Sequence, residues 1–254
     1  MRIIKTLLKM IKQMKLITTL FMLVSVASNA QSPLTPSNKA FQKKWLHSKN
    51  YQMIWYGLKD TAKIEIGKVK TSITTDGKLL TVVTEVQMRG MNTSWIDTSV
   101  AEMNTLQPVK HSSYNMQRDM VLYFGKVVTG FYNDKMKKNN VAIRDTTVGG
   151  YFDSNLYPLL LGLLPLKEGY SREIVIYDYN PAGKKGIMKA IVKSVVSGSF
   201  VTQHNGIRDV WIVTTTDEIS NSLTTYYFDK IDRKLWKQEM DAKGRKMVMF
   251  LDEK

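Results

Sequence analysis

The sequence contains no cysteine, only 6 prolines and only 3 histidines. Without cysteine there is no disulfide framework, no thiolate zinc site and no cysteine-linked lipid anchor, so the fold must stand on its apolar core. His47, His111 and His204 are far apart, and none has a second histidine or a carboxylate at metal-ligand spacing; no metal and no cofactor is expected. There is no Gly-x-Ser-x-Gly elbow, and Gly149-Gly150 lacks the lysine of a phosphate-binding loop. His111 is followed by Ser112 and Ser113. Strand neighbours point to opposite faces, which separates His111 from Ser112, and no acid lies close in sequence to orient His111 with Ser113. No catalytic residue is assigned. Beyond the N-terminal leader the longest apolar run, near 159–166, falls short of the roughly 20 residues a spanning helix needs.

The leader is the clearest feature that is present. Arg2, Lys5, Lys9, Lys12 and Lys15 precede an apolar run from Leu16 to Ala27, and Ser28 and Ala30 supply small residues before Gln31. This is the three-part plan of a secretory signal cleaved after Ala30, which implies export to the periplasm or cell envelope. The alternative, a retained anchor, is disfavoured by the short apolar run. Residues 31–50, broken by Pro33 and Pro36, read as a tether with a short helical turn within 39–47, and 51–254 as a single domain. The formal charge is +15, five units of it in the leader. Such a balance suits anionic envelope partners and peripheral membrane contact, or is simply a solvated lysine surface. Export argues against nucleic acid.

From Tyr51 onward the texture is β-rich, in runs at 61–74, 79–88, 95–102, 120–132, 171–179, 187–196, 209–216, 223–229, 235–240 and 246–251. Asp76-Gly77 is a hairpin signal, and the turns near 229–233 and 241–244 close a C-terminal meander. Met188, Ala190, Val192 and Val196 are expected on one face of their strand, with Lys189 and Lys193 opposite. Between 61 and 74 the apolar parity changes from Ile64 and Ile66 to Val69 and Ile73, which calls for a bulge at Gly67-Lys68 and strong curvature. Residues 154–164, capped by Asp153 and Ser154 and stopped by Pro165, read as a helix apolar nearly all round, either plain core or a plug over a cavity. The expected fold is mainly β (α+β): a curved antiparallel sheet forming an incomplete barrel around one buried helix.

Aromatic residues fall on both faces of the expected strands, as in Tyr226-Tyr227-Phe228. Either another element covers the outer face or the inner face surrounds an apolar ligand. The candidate lining is Trp55, Trp95, Phe124, Phe131, Leu160, Leu163, Trp211, Tyr226, Phe228 and Trp236, with Met88, Met91, Met188, Met240, Met247 and Met249 as adaptable filling.

Several local patterns resemble a widespread family of exported bacterial proteins of unknown function, whose fold is similar to that of the periplasmic lipoprotein-localisation factors. They are Leu106-Gln107-Pro108 before a strand, the stretch 151–166 ending in Leu164-Pro165-Leu166, the Lys167-Glu168-Gly169 that follows it, and the closing strands at 224–230 and 234–241. The resemblance spans residues 51–252. It implies a half-open barrel wrapped on a helix, a shape suited to acyl chains, and no catalytic residues. The expected function is binding of a lipid or acyl chain in the concave face. The alternatives are an envelope assembly module and a carbohydrate-active enzyme using two of Asp178, Asp209, Asp217, Glu218 and Glu239.

Overall fold

The computed structural model describes residues 32–254, and Pro33–Lys254 is one compact unit. The expected signal segment, 1–30, lies outside the described residues. Two 3-10 turns, Pro36–Asn38 and Lys43–Trp45, lead into the strands β1 (Lys49–Lys59), β2 (Ala62–Thr75), β3 (Leu79–Met88), β4 (Ser94–Glu102), β5 (Pro108–Tyr114), β6 (Arg118–Tyr123), β7 (Val127–Asp134) and β8 (Asn139–Thr146). Then come β9 (Phe152–Asp153), the helix α1 (Tyr157–Leu163), β10 (Arg172–Tyr179), β11 (Lys185–Val201), β12 (Ile207–Asp217), β13 (Leu223–Asp229), β14 (Leu235–Ala242) and β15 (Arg245–Leu251).

All fifteen strands belong to one open, curved sheet of order β8-β7-β6-β5-β4-β3-β2-β1-β15-β14-β13-β12-β11-β10-β9. The two halves are each a run of sequential neighbours, joined where β1 pairs antiparallel with β15 through Met53–Leu251 to Leu58–Lys246. Among the described strands only β9 runs parallel to its neighbour. The free edge of β10 is shared by β9 and by a single bridge from Leu34 to Ile174. Of the stretch expected as a tether, Leu34, Phe41 and Leu46 are part of the main apolar cluster.

Alternation decides which side of each strand is buried. Met188, Ala190 and Val192 are buried, while the lysines between them are exposed. Val196 does not follow them as its spacing predicts; it is 50% exposed and Val195 is buried instead. The register shifts between Val192 and Ser194, leaving Lys193 as an extra residue that inverts the pattern. The bulge expected at Gly67-Lys68 lies one residue earlier. Trp55 pairs with Gly67 and Tyr56 with Glu65, so Ile66 is the inserted residue. Gly67 has a separate role: a Cβ there would stand 2.6 Å from the Gln87 carbonyl oxygen. The run expected at 120–132 is two strands, β6 and β7, with the hairpin turn at Phe124-Gly125-Lys126.

The helix is shorter than the expected 154–164. The Asn155 amide donates to Asp153 Oδ1, which holds residues before Tyr157 in a turn. Leu164 is extended at ψ 156°, as a residue before proline prefers. Leu160, Leu161, Leu163 and Leu164 share one apolar cluster with Ile73, Leu80, Val82 and Ala101 from β2 to β4, and with Ile174, Met188, Val213 and Phe228 from β10 to β13. The sheet is open, with β8 and β9 as its edges, rather than a closed barrel. A second cluster joins Met120, Leu122, Val128 and Ile143 to Tyr151, Tyr177 and Tyr179. Strand β10 is thus buried on both faces, Ile174 and Ile176 in one cluster and Tyr177 and Tyr179 in the other.

The Gly67→Ala variant is expected to lose about 1–3 kcal/mol, because its methyl group meets backbone that cannot yield. At Gly57 a Cβ would make an ordinary 3.6 Å contact with Ile66. Urea unfolding of Gly57→Ala should therefore show a much smaller loss.

Candidate ligand-binding site

The hollow begins with the inward residues of five adjacent strands. Tyr51, Met53 and Trp55 of β1, Val69, Thr71 and Ile73 of β2, Val82, Thr84 and Val86 of β3, Gln238 and Met240 of β14, and Met249 and Leu251 of β15 all border it. Pro158, Leu159, Gly162 and Leu163 of α1 form the opposite wall. The space has two lobes, of about 910 and 260 Å³, which share Val69, Thr84, Asn155, Gln238 and Met249. The smaller lobe is lined mainly by Trp55, Val86, Trp95, Met240, Met247, Val248 and Met249. The larger lobe ends among Lys49, Asp232, Arg233 and Lys234, with Asp252, Glu253 and Lys254 also on its border.

Close helix–sheet packing sets one end of the space. A Cβ at Gly162 would lie 3.1 Å from the Phe228 ring, and that ring stacks on Tyr226 at 5.8 Å. Burial and the charge of Lys234 push the Lys49 ammonium below its ordinary value, with Asp232 opposing them. Burial likewise pushes Arg233 down, against the opposing charge of Asp229.

Trp55, Trp95, Leu163, Phe228 and Trp236 of the expected lining border the hollow. The other five lie elsewhere. Leu160 is fully buried in the main cluster, Tyr226 is buried there too, and Trp211 packs against its edge. Phe124 belongs to the second cluster, edge-on to Tyr151 and Tyr177. Phe131 is 37% exposed on β7. Of the methionines, Met240, Met247 and Met249 line the smaller lobe, Met188 is core and Met91 is exposed. The outward aromatic residues are capped by lysine stems: Lys63 Nζ lies 4.4 Å from the ring centroids of both Tyr56 and Phe250, and Lys237 covers Tyr227 at 4.8 Å. Aromatic residues on both faces therefore do not require two ligand surfaces.

A buried polar cluster stands beside the hollow, and sequence spacing concealed it. His111 Nδ1 lies 3.1 Å from both Asp153 Oδ2 and Ser99 Oγ, and Ser99 donates to the same carboxylate oxygen at 2.6 Å. The acid that orients His111 comes from β9, forty-two residues away. Burial alone would lower the His111 value, but the Asp153 charge and hydrogen bond outweigh it and hold the imidazole above 6.5. Burial would raise Asp153; the His111 charge and the hydrogen bonds from His111, Ser99 and the Asn155 amide hold it below 3.8. A nucleophile relay needs serine and acid on opposite ring nitrogens. Here both meet at Nδ1, which is the geometry of a clamp between β4, β5 and β9.

None of the five carboxylates considered for glycoside chemistry borders the hollow. Asp178 accepts from Ser154, Asp217 caps the Ile219–Ser220 turn, Glu218 pairs with Lys184, and Glu239 pairs with Lys237. Among the described residues there is no cluster of three or more metal-ligating side chains.

Residues 50–251 match the family described as a protein of unknown function, DUF3108, and the chain belongs to that family. No curated protein and no solved structure matches the chain.

Removing the clamp's acid should be costly. Asp153→Ala removes the acceptor of the Ser99 and His111 hydrogen bonds and lets burial drive the imidazole to its neutral form, and it is expected to cost about 1–3 kcal/mol in urea unfolding. The His111 contribution is fully present below its unfolded value near 6.5 and is lost as pH rises through the higher folded value. The unfolding midpoint should therefore fall across that interval, and His111→Gln should flatten the slope.

Proposed function

We propose that this protein is exported and binds a single-chain or acyl-bearing amphiphile in the hollow of its curved sheet. The sheet would act as an incomplete barrel with α1 on its inner side, the architecture implied by the resemblance to lipoprotein-localisation factors. One observation carries the reading: the two lobes share five lining residues, the smaller being lined mainly by apolar side chains around Trp55 and Met247 and the larger bordered by Lys49, Arg233 and Lys234 together with Asp232, Asp252 and Glu253.

The two lobes succeed each other along the strands. On β1 the passage from Lys49 to Trp55 covers about 20 Å at the rise of an extended chain. On β14 Leu235 lies at the charged end and Met240 at the apolar one, and on β15 Leu251 and Met247 repeat the order. An amphiphile fits such a gradient with its head among the basic residues and its tail among the methionines, whose unbranched side chains adapt to a mobile chain. Each buried methylene would contribute about 0.8 kcal/mol.

Two outcomes test the reading. Affinity for a series of alkyl carboxylates, followed through Trp55 and Trp95 fluorescence, should rise about fourfold per added methylene until the chain outgrows the hollow; a flat series would overturn it. The protein recovered from an envelope fraction should begin at Gln31, and one retaining residues 1–30 would contradict export through a cleaved signal.

A further inference from the structure

Arg233 has unmet hydrogen-bonding capacity. It lies in the β13–β14 turn with φ 59°, and its amide donates to the Asp229 carbonyl at 3.1 Å. The residue is only 8% exposed, yet it borders the hollow. Its Nε and Nη1 atoms are buried and have no hydrogen-bond partner. The guanidinium instead lies over the Trp45 ring, 5.3 Å from the centroid. A buried cation whose donors lack acceptors is strongly unfavourable, and a bound anion would relieve that cost.

The neighbouring carboxylates are already engaged. Asp229 accepts from Arg208 Nε at 2.8 Å and Trp236 Nε1 at 2.9 Å on one oxygen, and from the Ile231 amide on the other. Asp232 accepts from the Lys234 amide and Asp252 from Gln52. Glu253 accepts from the amides of Gln203 and His204 and from the Asn205 side chain. None of them holds Arg233. Lys49 and Lys234 border the same end of the hollow and add positive charge there.

We propose that Arg233 is the headgroup-reading residue of the hollow, and that its ligand is an amphiphile ending in an oxyanion, a carboxylate or a phosphate, drawn to the guanidinium whose donors lack acceptors. The planar guanidinium fixes the direction in which each donor points, and Trp45 beneath it restrains the side chain's rotation. Lys49 and Lys234 supply point charge without that directionality. The inference rests on the reading of the hollow as a chain-binding site and adds to it the chemistry of the head.

The test compares decanoate, decyl phosphate and decanol on the unaltered full chain by calorimetric titration, with inorganic phosphate as a chain-free control. Decanoate or decyl phosphate should bind at least about tenfold more tightly than decanol. In Arg233→Gln that advantage should vanish while decanol affinity is unchanged, and Arg233→Lys should restore part of it. Equal affinities for acid and alcohol on the unaltered protein would overturn the assignment of Arg233 while leaving the chain-binding reading intact. Loss of all three amphiphiles with retained, Arg233-dependent binding of inorganic phosphate would uphold an oxyanion site and overturn the chain reading. Should Arg233→Gln fail to fold, Arg233→Lys decides the question: an acid-over-alcohol preference undiminished in that variant would overturn the assignment of Arg233.

Discussion

A mismatch of length governs this structure. An open sheet with strands of up to 17 residues exposes an inner surface tens of ångströms long, whereas the seven-residue helix reaches only about 10 Å. Burial of Leu160, Leu161, Leu163 and Leu164 satisfies the helix and the strand residues around it. The inner faces of β1, β2, β3, β14 and β15 extend past that helix, and the hollow is what it leaves uncovered. Pro165 ends α1 at its C-terminal side, because the residue before a proline favours the extended conformation that Leu164 adopts.

Holding the sheet's two halves together requires more than neighbouring strands. β4 and β5 belong to one half of the strand order and β9 is the edge of the other, and Asp153 meets Ser99 and His111 across that gap. The Tyr151, Tyr177 and Phe124 rings do the same at the back of β10, with the Tyr177 hydroxyl donating to Asp145 of β8. An edge strand with a free backbone ladder is a hazard for edge-to-edge pairing. On β10 that ladder is occupied by β9 and the Leu34 bridge.

The charge has a physical distribution that composition alone conceals. Many of the lysines lie over outward aromatic rings, as Lys63 and Lys237 do, and serve to cover apolar surface. A smaller set, Lys49, Arg233 and Lys234, gathers at one end of the hollow. Covering rings and bordering the hollow thus fall largely to different residues, with Lys234, whose Nζ lies 5.0 Å from the Trp236 ring centroid, doing both.

Local alternation and turn chemistry made most strands legible, and residues 79–88 and 223–229 have the ends their sequence suggests. Short-range patterns also signalled the bulge in β2, displaced by one residue because Ile66 rather than Gly67 is the inserted position. The hairpin at Phe124-Gly125-Lys126 was hidden because both flanking runs are β-branched and aromatic, so nothing but Gly125 marks the reversal. Val196 was assigned to the wrong face because a bulge at Lys193 leaves no trace in hydrophobicity. Aromatic type alone does not say whether a ring packs, caps or faces a cavity, and so Trp55 and Phe131 looked alike. Residue identity and spacing determined the β class, the main turns and the apolar character of α1, since these depend on forces acting over a few residues. The pairing of β1 with β15, the meeting of His111 with Asp153 and the isolation of Arg233 were decided only by tertiary structure, because each depends on groups brought together from distant positions and on the water excluded between them.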